Sequence, residues 1–359
     1  MKRFSSILVI GALMLVGCNS GSSNTDSNTT TNTASDGTKS AGDAGPKLKV
    51  VFIPKDTANP YFKPVGQGID ESKGSMNFDY QEQGPATADP TSQIPIIKDQ
   101  IQRKVDVIVL AADAPNTLNE VLDDARKQGI IVLTVDADIT GNESHRDAGI
   151  LPTDFAKVGA AQLELMGKQM NYEGDFAILS ATTTASNQNT WIATIKKGLA
   201  DPKYSKMKLV DTVYGNDEPQ KSSTEMEGLL SKYPNLKGVL SPTSVGLAAA
   251  AQVLENSGLY PGGPKAQKGG IHLTGLSTPN QLKKYVTKGI IEGFQLWSPK
   301  DMGELAAYLG TQAKRKKITL KFGTEVDGPK GKLKLDDKGV VYAGDLLTFD
   351  KSNIDKYNF

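Results

Sequence analysis

The chain has 359 residues in which 41 Lys and Arg nearly balance 40 Asp and Glu, for a formal net charge of +1. Such a balance implies no basic face, which argues against nucleic acid as a partner. One cysteine and two histidines, His145 and His272, exclude a Cys-His nucleophile, a zinc cage and a His-rich metal site, and no cofactor is expected. A Ser-His-Asp triad stays open by composition, but no Gly-x-Ser-x-Gly elbow accompanies it.

The N-terminus reads as a secretory signal. Met1-Lys2-Arg3 is a short basic start, Phe4 to Val16 is mostly apolar, and Leu15-Val16-Gly17-Cys18 closes the run with small residues and the single cysteine. The run is too short to span a bilayer permanently. Its last four residues resemble the lipobox of bacterial lipoproteins, which implies that Cys18 is lipidated and becomes the new N-terminus, so that residue 18 is an anchor and not a catalyst. Residues 19–46 are almost wholly Ser, Thr, Asn, Gly, Asp and Ala and read as a flexible tether. The expected location is outside the cytoplasm, held to the cell membrane through the N-terminal lipid.

From residue 47 onward short apolar runs alternate with longer amphipathic ones. Strands are predicted at Lys49 to Pro54, Met76 to Gln81, Val107 to Ala111 and Ile130 to Val135, separated by helices at Tyr61 to Ser72, Thr91 to Arg103 and Asn116 to Lys127. Continuous β-branched runs are what a parallel sheet covered on both faces requires. After Ile150-Leu151-Pro152-Thr153 the cycle resumes with a helix from Asp154 to Met170. Strands follow at Phe176 to Leu179, Lys208 to Val213, Gly238 to Leu240, Ile271 to Leu276 and Ile291 to Trp297. The helices between and after them run from about Asn187 to Leu199, Lys221 to Lys232, Val245 to Asn256, Gln281 to Lys288 and Asp301 to Lys314. Roughly nine strand-helix units fit two sheets better than one. The expected fold is α/β with two Rossmann-like lobes; a closed (β/α)₈ barrel is the structural rival.

In open parallel sheets, ligands sit beyond the C-terminal ends of the strands. Those ends lead into Lys55 and Asn59-Pro60-Tyr61-Phe62, Asp113, Asp136-Ala137-Asp138, Asn187-Gln188, Pro242-Thr243-Ser244, Ser277 and Trp297. Carboxylates and amides suit vicinal hydroxyls, and rings suit the C–H faces of a sugar.

These phrases, with Thr134-Val135-Asp136-Ala137-Asp138, Ser277-Thr278-Pro279-Asn280 and the closing Phe349-Asp350-Lys351-Ser352-Asn353-Ile354-Asp355-Lys356-Tyr357-Asn358-Phe359, carry a resemblance. The chain resembles the type I periplasmic sugar-binding proteins of ABC importers, of the ribose and galactose class, and within them the rhamnose-binding and autoinducer-2-binding branch. The resemblance implies two lobes joined by a three-stranded hinge, with crossings near Ile150 to Thr153, Leu296 to Pro299 and Gly344 to Phe349. It implies a first lobe of residues 47–150 plus 299–315 and a second of 151–298 plus 316–359. It further implies a monomer that captures a small sugar by hinge closure and delivers it to ABC permease subunits without altering it.

The same resemblance makes Lys55 a ligand-facing ammonium, where the residue alone reads equally as a solvated lysine. Asp136 and Asp138, two apart, are expected to share one side of a continuing strand, and the resemblance has an aspartate here grip adjacent hydroxyls. Asp113 either joins them or caps the next helix. Asn187 and Gln188 supply polar contacts, Asn187 also being placed to cap its helix; Pro242, Ser244 and Ser277 lie in turns that explain them without a ligand as well. Tyr61, Phe62 and Trp297 read equally as core aromatics, but Asn59-Pro60-Tyr61-Phe62 resembles the stacking motif of pentose and deoxyhexose binders, which implies that Phe62 or Tyr61 stacks on the sugar, with Asn59 and Trp297 among the expected contacts. Rhamnose or a related monosaccharide is the leading ligand. Autoinducer-2 is the alternative, although its receptors carry an acid where this chain has Asn187. An extracellular sugar-active enzyme is the remaining rival, with Asp113 and Asp136 as its carboxylates.

Overall fold

Residues 45–266 and 269–359 are described by the computed structural model; the signal segment, Cys18 and nearly all of the tether lie outside the described residues. Among those described, no helix is long and apolar enough to cross a membrane. The first strands and helices are β1 (Leu48–Ile53), α1 (Phe62–Met76), β2 (Phe78–Glu82), α2 (Gln93–Gln102), β3 (Val107–Leu110), α3 (Asn119–Lys127), β4 (Ile131–Val135) and β5 (Ala148–Leu151). The chain continues through α4 (Phe155–Gln169), β6 (Glu173–Ser180), α5 (Ser186–Gly198), β7 (Lys206–Tyr214), α6 (Pro219–Lys232), β8 (Leu236–Ser241), α7 (Ser244–Ser257), β9 (His272–Gly275), α8 (Pro279–Thr287) and β10 (Gly293–Leu296). It ends with α9 (Pro299–Lys314), β11 (Glu325–Gly328), β12 (Gly331–Lys334), β13 (Val340–Tyr342) and β14 (Leu347–Asp350).

Two open parallel sheets result, with strand orders β13-β5-β4-β3-β1-β2 and β7-β6-β8-β9, so the barrel alternative is excluded. The period-2 alternation of a strand divides the first sheet between two apolar layers. Val50, Phe52, Val107 and Val109 join Val65 and Ile69 of α1 and Met302 and Leu309 of α9. Val51, Ile53, Ile108 and Leu110 face the other way, onto Ile97 of α2 and Val121 and Leu122 of α3. The continuous runs that read as doubly covered strands are therefore buried on both faces.

Three connections pass between the lobes, from β5 to α4, from β10 to α9 and from β13 to β14, with β10 and β14 forming a separate two-stranded sheet. β10 and β14 pair antiparallel in the register Gly293↔Asp350 to Leu296↔Leu347, so two of the three connections run side by side. The return of α9 to the first lobe is fixed by a close helix-helix approach. A Cβ on Gly303 would stand 2.1 Å from the carbonyl oxygen of Val65, and one on Gly68 would stand 2.1 Å from that of Lys300.

The resemblance implies that residues 316–359 belong to the second lobe, but β13 pairs in parallel with β5 at the edge of the first sheet, Val340 opposite Gly149 and Tyr342 opposite Leu151. Gly149 donates its N–H to the carbonyl of Gly339 at 2.9 Å, which sets that edge. Only the stretch from β14 onward joins the second lobe. The alternation of strand and helix gave no sign of this, because no helix separates β11, β12, β13 and β14.

Gly303→Ala tests the α1–α9 contact. The added methyl meets backbone that cannot move alone, so the variant is expected to lose about 1–3 kcal/mol in a urea melt, whereas Gly74→Ala on the open side of α1, where nothing lies within 4 Å, is expected to match or exceed the parent.

Candidate functional site

The loop after β1 is shaped by two consecutive side-chain turns. Asp56 Oδ1 accepts from the N–H groups of Ala58 and Asn59 at 2.9 and 2.7 Å, and Asn59 Oδ1 accepts from that of Tyr61 at 3.0 Å. Asp and Asn favour such turns because their short side chains reach the backbone two residues on. The loop delivers Lys55, Asn59, Tyr61 and Phe62 to the end of the sheet.

Asp136, just past β4, holds a left-handed backbone with φ 64°, a strained state for a residue with a Cβ that is found disproportionately at functional sites. Its carboxylate accepts from Tyr61 Oη at 2.7 Å and from Asn187 Nδ2 at 3.4 Å. Trp297 Nε1 donates to Tyr61 Oη at 2.8 Å, so a relay runs from the end of β10 through Tyr61 to Asp136.

The second lobe answers from the ends of β6, β7 and β8. Gln188 Oε1 is held by Ser180 Oγ at 2.6 Å and by the N–H of Ala181 at 2.9 Å, which leaves its Nε2 without an acceptor among the described residues. Lys55 Nζ donates to Asn187 Oδ1 at 3.4 Å, and Ser244 Oγ donates to Asn59 Oδ1 at 2.9 Å, both across the gap between the lobes. These groups line one small cavity between the lobes.

Lys55, Asn59, Tyr61, Phe62, Asp136, Asn187, Gln188, Pro242, Ser244 and Trp297 line this cavity, together with Thr243 of the same strand-end phrase and with Trp191, Asp217, Leu276 and Leu296, which the sequence did not mark as ligand contacts. Asp217 follows β7 in Tyr214-Gly215-Asn216-Asp217, and the strand-end rule extended to that strand would have found it.

Three expected residues do not line the cavity. Asp138 is taken by Arg146, whose Nε and Nη2 reach its two carboxylate oxygens at 2.7 and 2.5 Å, with Thr134 Oγ1 donating at 2.6 Å. The left-handed turn at Asp136 breaks the alternation, so the two aspartates do not share a side. Asp113 is buried beneath the site with Oδ2 unpartnered, and it caps nothing, since α3 begins only at Asn119. Ser277 is buried, and its backbone N–H donates to Gln295 at 3.3 Å.

Negative groups outnumber Lys55 here. Burial pushes Asp113 up to about 8 and Asp56 up to about 6, and the attraction of Lys55 only partly offsets this. Burial also raises Asp136 and Asp217, against the pull of Lys55 and of the Tyr61 and Thr243 hydroxyls. Tyr61 lies well above the usual phenol range, through burial and then the charge of Asp136. Among the described residues no group of three or more His, Cys, Asp or Glu could hold a metal ion.

Two outcomes are expected. Arg146→Met strands the buried Asp138 charge, at a cost of about 3–5 kcal/mol by denaturant melt, and the double variant Arg146→Met, Asp138→Leu is expected to recover most of it. For Asp113, the folded value of about 8 exceeds the ordinary 3.8, so the folded chain holds a proton that the unfolded chain releases. The cost of ionising it in place is absent below about pH 4, grows through the window and is complete above about pH 8. The urea midpoint of Asp113→Asn minus that of the parent is therefore expected to rise from pH 5 to pH 8.5. A difference that stays flat would mean that Asp113 titrates normally.

Comparison with known proteins gives this geometry a family. The model of the periplasmic binding protein domain matches residues 50–318. A solute binding protein of an ABC transporter from Clostridium phytofermentas, with bound L-rhamnose, is 30% identical with a TM-score of 0.80, over 87% of this chain and 98% of that one. A sugar ABC transporter protein from Actinomyces odontolyticus is 34% identical with a TM-score of 0.68, over 88% and 100%. A curated xylose/arabinose-binding protein of Sulfolobus acidocaldarius is 23% identical over 224 residues, 60% of this chain and 54% of that protein, so the chain spans about half the length of that relative. The Clostridium phytofermentas and Sulfolobus acidocaldarius relatives are binding proteins by name. The chain belongs to the periplasmic binding protein family and has its type I, two-lobed fold.

Proposed function

We propose that the protein is the extracytoplasmic sugar-binding component of an ABC importer, anchored through a lipid on Cys18, and that its ligand is a neutral deoxyhexose of the L-rhamnose kind. The observation that carries the reading is the meeting of polar groups and apolar walls in one cavity between the lobes. Asp136 accepts from hydroxyls, while Gln188 Nε2 and Lys55 Nζ donate to oxygens. Phe62, Leu276 and Leu296 offer apolar wall on which the C–H face and the methyl group of a deoxy sugar rest. The solute binding protein of Clostridium phytofermentas, crystallised with L-rhamnose, supports the same choice.

Capture proceeds by hinge closure. A sugar that touches both Asp136 and Gln188 binds the closed arrangement better than the open one, and that differential affinity shifts the population. The permease subunits then receive the closed form. The reaction class is binding and release, with no bond in the sugar broken.

Calorimetric titration of the purified protein with L-rhamnose, D-ribose, D-galactose and autoinducer-2 tests the reading. L-rhamnose is expected to bind tightest, and at about 100-fold excess over Kd to add about 2.7 kcal/mol to the stability of the fold. Lys55→Met and Asp136→Asn are each expected to weaken it by about 10- to 150-fold, as for a lost hydrogen bond to a charged group. Tighter binding of autoinducer-2 would move the protein to signal uptake, and turnover of a chromogenic rhamnoside would make it an enzyme.

A further inference from the structure

Trp191 and Asp217 both line the cavity. The Trp191 indole is 2% exposed, and its Nε1–H is buried with no hydrogen-bond partner. An indole N–H can only donate, and a buried donor nearly always finds an acceptor. The ring is held in place by Phe155, edge-on at 5.3 Å, and by Trp297 at 5.8 Å. Trp297 differs, because its own N–H already donates to Tyr61 at 2.8 Å.

Asp217 is placed by a different device. Asn216 and Asp217 both adopt φ 56°, two consecutive left-handed residues in a turn, and such strain persists only where the surroundings enforce it. Thr243 Oγ1 donates to Asp217 Oδ1, which leaves the second oxygen without a partner among the described residues.

We propose that Trp191 and Asp217 are ligand contacts of the second lobe: Trp191 Nε1–H donates to one acceptor oxygen of the bound sugar, and Asp217 accepts from a hydroxyl. The proposal rests on the sugar-binding reading and specifies the polar pattern that the ligand must match. Among the described residues, Asn59 Nδ2, Gln188 Nε2 and Trp191 Nε1 have no acceptor, and Lys55 Nζ uses one of its three hydrogens on Asn187, against the carboxylates Asp136 and Asp217. A donor-rich wall suits a monosaccharide, in which each hydroxyl offers two lone pairs for one proton and the ring oxygen only accepts. The two carboxylates, one on each lobe, repel a uronic acid from the same cavity.

The test is a thermodynamic cycle on the full chain. The parent, Trp191→Phe and Asp217→Asn are titrated with L-rhamnose, with each of its deoxy analogues, with the carbocyclic analogue that lacks the ring oxygen, and with D-galacturonate. Trp191→Phe is expected to bind L-rhamnose about tenfold more weakly and to match the parent for the one analogue that lacks its acceptor. Asp217→Asn is expected to match the parent for a different analogue and to gain affinity for D-galacturonate. An equal loss across the whole series, or no loss, overturns the assignment of that residue while leaving the sugar-binding reading in place. A parent that binds no sugar overturns both.

Because Trp191→Phe could also loosen the core, the parent is followed by indole ¹⁵N–¹H spectra, where its two tryptophans give two signals. The Trp191 signal is expected to move downfield on saturation with L-rhamnose. An unmoved Trp191 signal in a protein that binds the sugar overturns its role.

Discussion

The site depends on one carboxylate held away from water between two bodies. Asp136 takes hydrogen bonds from Tyr61 on its own lobe and Asn187 on the other, and Tyr61 is in turn held by Trp297 at the end of β10. In a medium of low effective dielectric such bonds are stronger than in water, and leaving any of these groups unpaired is correspondingly costly. The geometry between the lobes is therefore set by whichever partners this carboxylate can reach, and a hydroxylated ligand that offers better ones than Asn187 can compete for it.

The backbone spends strain to aim these groups. Asp136 and Asp217 are both left-handed residues at the ends of strands, one on each lobe, and both carry their carboxylates to the same cavity. A regular strand end would send Asp136 and Asp138 to one side together; the left-handed turn separates them into a cavity residue and the buried partner of Arg146. Arg146 also lies over the ring of Phe322 at 5.7 Å and donates to the carbonyl of Gly339 at 3.4 Å. The same arginine thus ties the end of β4 to the segment that leads into β13.

What could be read from the sequence follows from this division. Parallel sheets covered on both faces were legible in the continuous apolar runs, though not the order of their strands, and the strand ends pointed to Lys55, Asp136 and Gln188 because an apolar run stops where its sheet does. Trp191 was hidden, since a tryptophan on a helix face is core unless its N–H is known to lack a partner. Asp217 required the turn that carries it, and neither Asn216 nor Asp217 announces φ > 0 beyond the general tolerance of such residues for that region. Asp113 looked like a ligand or a cap, and is a buried acid instead, because α3 starts later than its apolar periodicity suggested. β13 escaped notice because three residues at a sheet edge, Val340 to Tyr342, are too few to show a period.

The position of β13 bears on how the lobes move. A chain that crossed between lobes only twice would leave them free to twist as well as to bend. Here the third crossing leaves the edge of the first sheet and enters β14, which is zipped against β10 over four residue pairs. Two adjacent crossings bonded to one another resist sliding past each other, so rotation about an axis across them is the soft motion that remains, as in hinge closure around a ligand. Such a motion carries the ends of β6, β7 and β8 as one unit toward Lys55 and Asp136. The side chains of Gln188, Trp191 and Asp217 then approach or leave the first lobe together, so that a ligand touching both lobes would bias the whole molecule.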